Sequence, residues 1–185
     1  MSGAHQMSRE WVLSRVKPGW YILDAGSGGG WLSKQMAAKG ASVLSVDLDP
    51  SRAVDKKPDL IKNLENPWTW AKDSVFDAVV STYCLQHLLG REALAWAEVG
   101  RVLKKGGYFL ATGRHSHQVP YFEWTRNDPL RGDNRDSLEG LASASGLRIV
   151  EHQSVHYDEQ GYKVAPSQDS NAWAISAMST KGGRQ

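Results

Sequence analysis

Cysteine is almost absent. The chain contains one, Cys84, so no disulfide forms within it, and that usage suits a reducing cytoplasm. Long apolar runs are missing as well. No stretch approaches the roughly 18 consecutive apolar residues that cross a bilayer, and no charged-then-apolar signal pattern opens the chain. Excess charge of one sign is also lacking: the formal net charge is +2, with both signs interspersed. A nucleic-acid binder is therefore not expected, since no basic stripe is evident. There is no internal repeat, low-complexity tract or composition break. What is left is a chain of 185 residues, sized for one domain with a sizeable core and with no membrane partner expected. Eight tryptophans bring large rigid surfaces for packing or for gripping a flat ligand.

The densest information lies in YILDAGSGGGWL, Tyr21 to Leu32. Tyr21, Ile22 and Leu23 form a short apolar run suited to a buried parallel strand. Asp24 closes it, and Gly26, Gly28, Gly29 and Gly30 precede the helical segment WLSKQMAAKG. A glycine-dense turn lets backbone approach a ligand closely, and the helix behind it offers free N–H groups and a positive dipole end. This is the layout of a nucleotide pocket. A dinucleotide fingerprint needs G-x-G-x-x-G, but counting from Gly26 its third place falls on Trp31. The spacing present is D-x-G-x-G-x-G, and the next strand, SVLSVD, ends on Asp47, placed to accept bonds from ribose hydroxyls.

These features resemble the class I S-adenosylmethionine-dependent methyltransferases. The resemblance implies S-adenosylmethionine as cofactor and S-adenosylhomocysteine as product. It places Asp24, Gly26, Ser27, Gly28 and Gly30 in the cofactor turn, Asp47 and Leu48 at the ribose, and Ser81 at the carboxyl end of the fourth strand, facing the cofactor. In the family an acid after the third strand often receives the adenine amino proton. The matching phrase here is KNLENPW, which puts Asn63 and Leu64 at those positions, with Asp59 as a competing acceptor. Asn63 departs from the acid, but its side-chain carbonyl can still accept that proton.

Elsewhere helical and strand patterns alternate. A short helix is expected over 8–16 before Pro18-Gly19, a helix over 31–39 stopped at Gly40, and a strand over 41–46. A turn or two of helix follows at 50–55, where little room is left for a longer one, and then a weak strand at 60–64. Strands are expected at 76–82 and 108–112 around a helix at 91–104. A helix at 137–145 and two final strands at 148–157 and 172–180 complete the chain. The fold class is α/β: a doubly wound, mostly parallel seven-stranded sheet with an antiparallel C-terminal hairpin and helices on both faces. Residues 1–185 are read as one methyltransferase-like domain, with an N-terminal helix at 1–19, a cofactor-binding half at 20–113, and an acceptor-side loop and hairpin at 114–185.

A sulfonium methyl group is already electrophilic, so no universal catalytic triad is expected. The loop after the fifth strand starts at the sheet's carboxyl edge and is long enough for a lid or binding loop. His115, then His117, are the candidate general bases. Tyr83, His87, Tyr121 and Trp124 are candidates to line the acceptor pocket. A metal reading joining His115 and His117 to His152 and His156 has no acid or cysteine cluster behind it, so no metal is expected. Cys84 follows a buried strand and is expected to be an inert thiol. Neither an N-P-P-[YFW] phrase after the fourth strand nor a Pro-Cys nucleophile motif occurs, which favours a small-molecule acceptor; a monomer or homodimer is expected. The alternatives are an RNA or protein methyltransferase, or a cofactor-binding subunit without catalysis. A nicotinamide-linked oxidoreductase is disfavoured by Trp31.

Overall fold

The computed structural model describes residues 3–88, 91–114, 135–157, 163–164 and 172–181. Its strands are β1 (Tyr21–Ala25), β2 (Ser42–Asp47), β3 (Leu60–Ile61), β4 (Phe76–Thr82), β5 (Leu103–Arg114), β6 (Leu147–Tyr157), β7 (Lys163–Val164) and β8 (Ala172–Ser179). The helices are α1 (Gly3–Leu13), α2 (Trp31–Ala38), α3 (Glu92–Val102) and α4 (Arg135–Ala144). The sheet order is β3-β2-β1-β4-β5-β8-β6-β7. Strands β1 to β5 pair in parallel, whereas β8 runs antiparallel between β5 and β6. The seven expected strands are all present, and the two-residue β7 adds an eighth against β6.

Side-chain alternation along the strands builds two cores. Ile22, Ala78, Val80 and Leu110 face Val12 of α1, Val16 just beyond it, and Leu32 and Met36 of α2. Leu23, Val79, Phe109 and Ile175 face the opposite side, where Trp96 and Val99 of α3 meet Leu138 and Ala142 of α4. Helices therefore cover both faces. After β1 the chain winds outward through β2 to β3, then returns to place β4 on the other side of β1. That reversal opens a crevice at the carboxyl ends of β1 and β4, the usual ligand site of such sheets.

Several boundaries differ from expectation. Helix α1 begins earlier and ends at Leu13, although Ser8, Val12 and Val16 remain one buried stripe. Pro18 disfavours helical backbone at Lys17, so the last turn of the pattern unwinds. Strand β5 starts at Leu103 because Leu103 pairs with Phe76 before the register shifts. The room between β2 and β3 is indeed short, and it holds only the 3₁₀ turn Pro50–Arg52.

No helix among the described residues joins β3 to β4 either; a tryptophan loop fills that side of the core. Trp68 is fully buried, and its Nε1 donates to the Leu64 carbonyl at 3.1 Å. Arg101 on α3 anchors the loop by donating to the carbonyls of Trp68 and Ala71, both at 2.9 Å. Trp68→Ala is therefore expected to lower the unfolding free energy by about 3–5 kcal/mol. Urea denaturation checks this, and a midpoint equal to wild type would show that the loop carries no such packing.

Candidate functional site

The glycine turn after β1 is clamped to the end of β2. Gly26 and Ser27 both donate their N–H to the Val46 carbonyl, at 2.9 and 3.1 Å. Gly28 N–H donates to Asp47 Oδ2 at 2.7 Å, and Gly30 N–H to the Ser27 carbonyl at 2.9 Å. These four N–H groups are engaged within the protein; the free N–H groups expected from the sequence are those of the helix start behind the turn. Asp47 Oδ1 also accepts from Asp49 N–H at 3.0 Å, which fixes the carboxylate at the mouth of the turn.

Two glycines are required by contact as well as by conformation. At Gly26, φ is +85° and an added Cβ would collide with Cys84 Sγ; at Gly30, φ is +80° and it would collide with the Lys56 carbonyl. The second contact belongs to a strap over the turn. Val54, Asp55 and Lys56 turn their N–H groups onto the Gly29 carbonyl, at 3.1, 2.8 and 3.4 Å. Above Gly28, by contrast, nothing lies within 4 Å of a Cβ position, so that face is open to a ligand.

Asp24 sits beneath the turn, 1% exposed, and accepts a hydrogen bond from Ser33 Oγ on α2. Burial pushes its carboxyl up to about 6, and the Asp47 charge adds to the rise, while the Ser33 bond and Lys56 oppose it. Cys84 is an inert thiol, pushed up to about 12 by burial and then by the Asp47 and Asp24 charges. Ser33 had no signal in the sequence as Asp24's partner, because nine positions of separation across a turn match no local motif.

Other expected residues are distributed unevenly. Leu48, next to Asp47, is 62% exposed, whereas the Leu64 side chain is buried in the core and leaves only its backbone to face a ligand. Asn63 Oδ1 accepts from Glu65 N–H at 2.9 Å. Asp59 faces inward onto β2: it accepts from Ser45 N–H at 2.8 Å and Ser45 Oγ at 2.7 Å, and Lys56 Nζ reaches both its oxygens. Burial works against that carboxylate's charge, but these bonds prevail and hold it below the usual range. Asp59 therefore braces the segment before β3 against β2. Ser81, expected at the cofactor, instead donates its hydroxyl to the Ala25 carbonyl at 3.0 Å and ties β4 to β1.

Tyr83 lies at the end of β4, and its hydroxyl accepts from Ser8 Oγ on α1 at 3.2 Å. Ser8 is a further residue that the sequence did not flag. His87, itself exposed, ends the turn Leu85–His87. His115, His117, Tyr121 and Trp124 lie outside the described residues, as does the His156 side chain. Among the described residues no three His, Cys, Asp or Glu side chains form a metal-binding group.

The site fits S-adenosylmethionine. Gly28 presents an open face, Asp47 a fixed carboxylate, and Ser27 Oγ is buried without a hydrogen-bond partner. Asp24 also makes the ligand-free fold sensitive to pH. Because its folded value is raised from 3.8 to about 6, its contribution is fully present below pH 3.8 and is lost as pH rises through 6. A rise of about two units corresponds to roughly 3 kcal/mol. Asp24→Asn should therefore gain stability relative to wild type by about 2 kcal/mol between pH 4.5 and 7.5, the remainder of that difference arising below pH 4.5. Urea unfolding at both pH values tests it, and a constant difference would mean that Asp24 does not titrate with folding.

Residues 23–111 match the methyltransferase domain family. A ubiquinone biosynthesis O-methyltransferase from Xanthomonas campestris is 35% identical over 120 residues, covering 56% of this chain and 47% of the relative. The chain thus spans about half the length of the relatives it matches. Among solved structures, the methyltransferase bound to the Trm112 activator of Haloferax volcanii aligns with a TM-score of 0.74 at 16% identity, over 98% of this chain and 92% of that one. A 1,6-didemethyltoxoflavin-N1-methyltransferase from Burkholderia thailandensis, holding S-adenosylhomocysteine, aligns at 0.71 with 18% identity, over 96% of this chain and 79% of that one. The fold and the matched domain agree with the spacing of the glycine turn and its acid: residues 23–111 of this chain match a methyltransferase domain, on the fold shared with S-adenosylmethionine-dependent methyltransferases.

Proposed function

We propose that the chain transfers a methyl group from S-adenosylmethionine to an O, N or C nucleophile of a small-molecule acceptor. The observation that carries this reading is the occupied state of the turn. Gly26, Ser27, Gly28 and Gly30 have their N–H groups engaged within the protein, which leaves a pyrophosphate fewer donors at the glycine turn. Two carboxylates, Asp24 and Asp47, stand at the same place. That setting suits a cationic ligand with ribose hydroxyls and disfavours a dinucleotide.

The bound donor supplies an electrophilic methyl group on a sulfonium. Everything else falls to the chain. Asp47 accepts from the ribose hydroxyls while its bond to Gly28 keeps the turn closed beneath them. Leu48, Asn63 and the Leu64 backbone flank the adenine. Held in line, donor and nucleophile gain roughly 7–11 kcal/mol from positioning alone. His115, with His117 as second choice, takes the acceptor's proton, an effect of about 10²–10⁴-fold where one must be lost. Tyr83, His87, Tyr121 and Trp124 line the acceptor side.

The domain is read as 1–185, with the donor held by 20–113 and the acceptor enclosed by 1–19 and 114–185. The names of the Xanthomonas relative and the Burkholderia neighbour point to small molecules as their acceptors, which supports that class here. No helix among the described residues is long and apolar enough to cross a membrane. The reading extends to a monomer or homodimer in the cytoplasm, where Cys84 stays reduced.

Thermal unfolding tests the choice of ligand. S-adenosylhomocysteine at 100 times its dissociation constant should add about 2.7 kcal/mol of stability and raise Tm, whereas NADH should leave it unchanged. A shift with NADH and none with S-adenosylhomocysteine would overturn the reading.

A further inference from the structure

Tyr83 holds a costly backbone conformation. Its φ is 52°, in the left-handed region that bulky side chains rarely adopt. Along β4, Val79 faces the α3 side and Val80 the α1 side, so Ser81 and Thr82 continue the alternation. A regular extended residue at 83 would point to the α3 side with Ser81. The left-handed bend turns the phenol to α1 instead, where its buried hydroxyl meets Ser8 Oγ. Tyr83 N–H, donating to the Thr112 carbonyl at 2.9 Å, holds the bend against β5.

The same bend sets the next residue on a different partner. Cys84 places its sulfur where a Cβ on Gly26 would stand. Residues 83 and 84 therefore touch the N-terminal helix with one side chain and the glycine turn with the next. A second contact runs in parallel: Arg9 of α1 lies over the Trp31 ring, 4.7 Å from its centre, and Trp31 directly follows Gly30. In the stripe Ser8, Val12 and Val16, the two valines rest on Val80 and Leu110 of the sheet. The end nearest the site is held by these contacts to residues beside the turn.

We propose that Tyr83 is a positioning residue that couples the seating of α1 to occupation of the glycine turn, through the contacts Ser8–Tyr83 and Cys84–Gly26. The proposal rests on the methyltransferase reading, since the occupant is the methyl donor or its product. A ligand that steadies Gly26 steadies Cys84 and the bend, and so keeps the phenol in reach of Ser8. Helix α1 then closes the acceptor side when the donor site is filled and loosens when it empties. Such coupling is reciprocal: seating of α1 tightens the ligand by the same factor.

Hydrogen–deuterium exchange with and without S-adenosylhomocysteine tests this. In the wild type the ligand should slow amide exchange both in the turn at 26–30 and in α1, the latter about 5-fold or more. Tyr83→Phe and Ser8→Ala should each keep the protection of the turn, lose that of α1, and bind the ligand more weakly by the factor lost. Ser8→Ala removes only a hydroxyl on α1, so the test stands even where the Tyr83 variant unfolds. Ligand-dependent protection of α1 that persists in Ser8→Ala would overturn the coupling, as would a wild type in which only the turn is protected. Protection in neither place would remove the donor reading itself, and the coupling with it.

Discussion

The clamp between the glycine turn and β2 is the constraint on which the site depends. One carbonyl, Val46, takes two N–H groups, and one carboxylate, Asp47, takes a third. Together they fix the path of the turn before any ligand arrives, so little ordering is left for binding to supply. They also decide what the turn can hold. With these donors engaged, the loop is a rigid floor between two acids and no longer an anion nest. The strap at 54–56 closes over the far side, taking the place that a longer crossover helix would occupy.

Legibility followed the range of the interaction. Strand β4 is read at its true limits because FDAVVST is a buried run with turn signals at both ends. Gly26, Gly30 and Asp47 announce themselves through spacing, because each acts within its own turn or strand end. The engagement of Asp59 by Ser45 and Lys56 depends on how β2 and β3 meet, and so could not be read locally. The bond from the Ser81 hydroxyl to the Ala25 carbonyl likewise crosses a strand pair. Ser33 under Asp24 and Ser8 against Tyr83 join distant positions that no local pattern links. The left-handed backbone of Tyr83 is invisible in a sequence, since tyrosine gives no sign of it. Between β3 and β4, where the described residues hold no helix, Trp68 and Arg101 supply the packing, and tryptophan count alone could not say where.

The buried acid and the clamped acid divide the work. Asp24, raised to about 6 by burial, holds its charge more readily when a cation comes near, because an opposite charge offsets the desolvation. Asp47 lies at the mouth with both oxygens already oriented by backbone N–H groups, which keeps it a fixed acceptor for hydroxyls. The donor thus meets a preformed floor.

Calorimetric titration of S-adenosylhomocysteine into the wild type and Asp47→Ala tests the central claim most directly. The account predicts one site per chain in the wild type and at least about tenfold weaker binding in the variant, a loss of roughly 1.4 kcal/mol or more. Equal affinity in the two proteins would contradict it, because the clamped carboxylate would then not be where the donor binds.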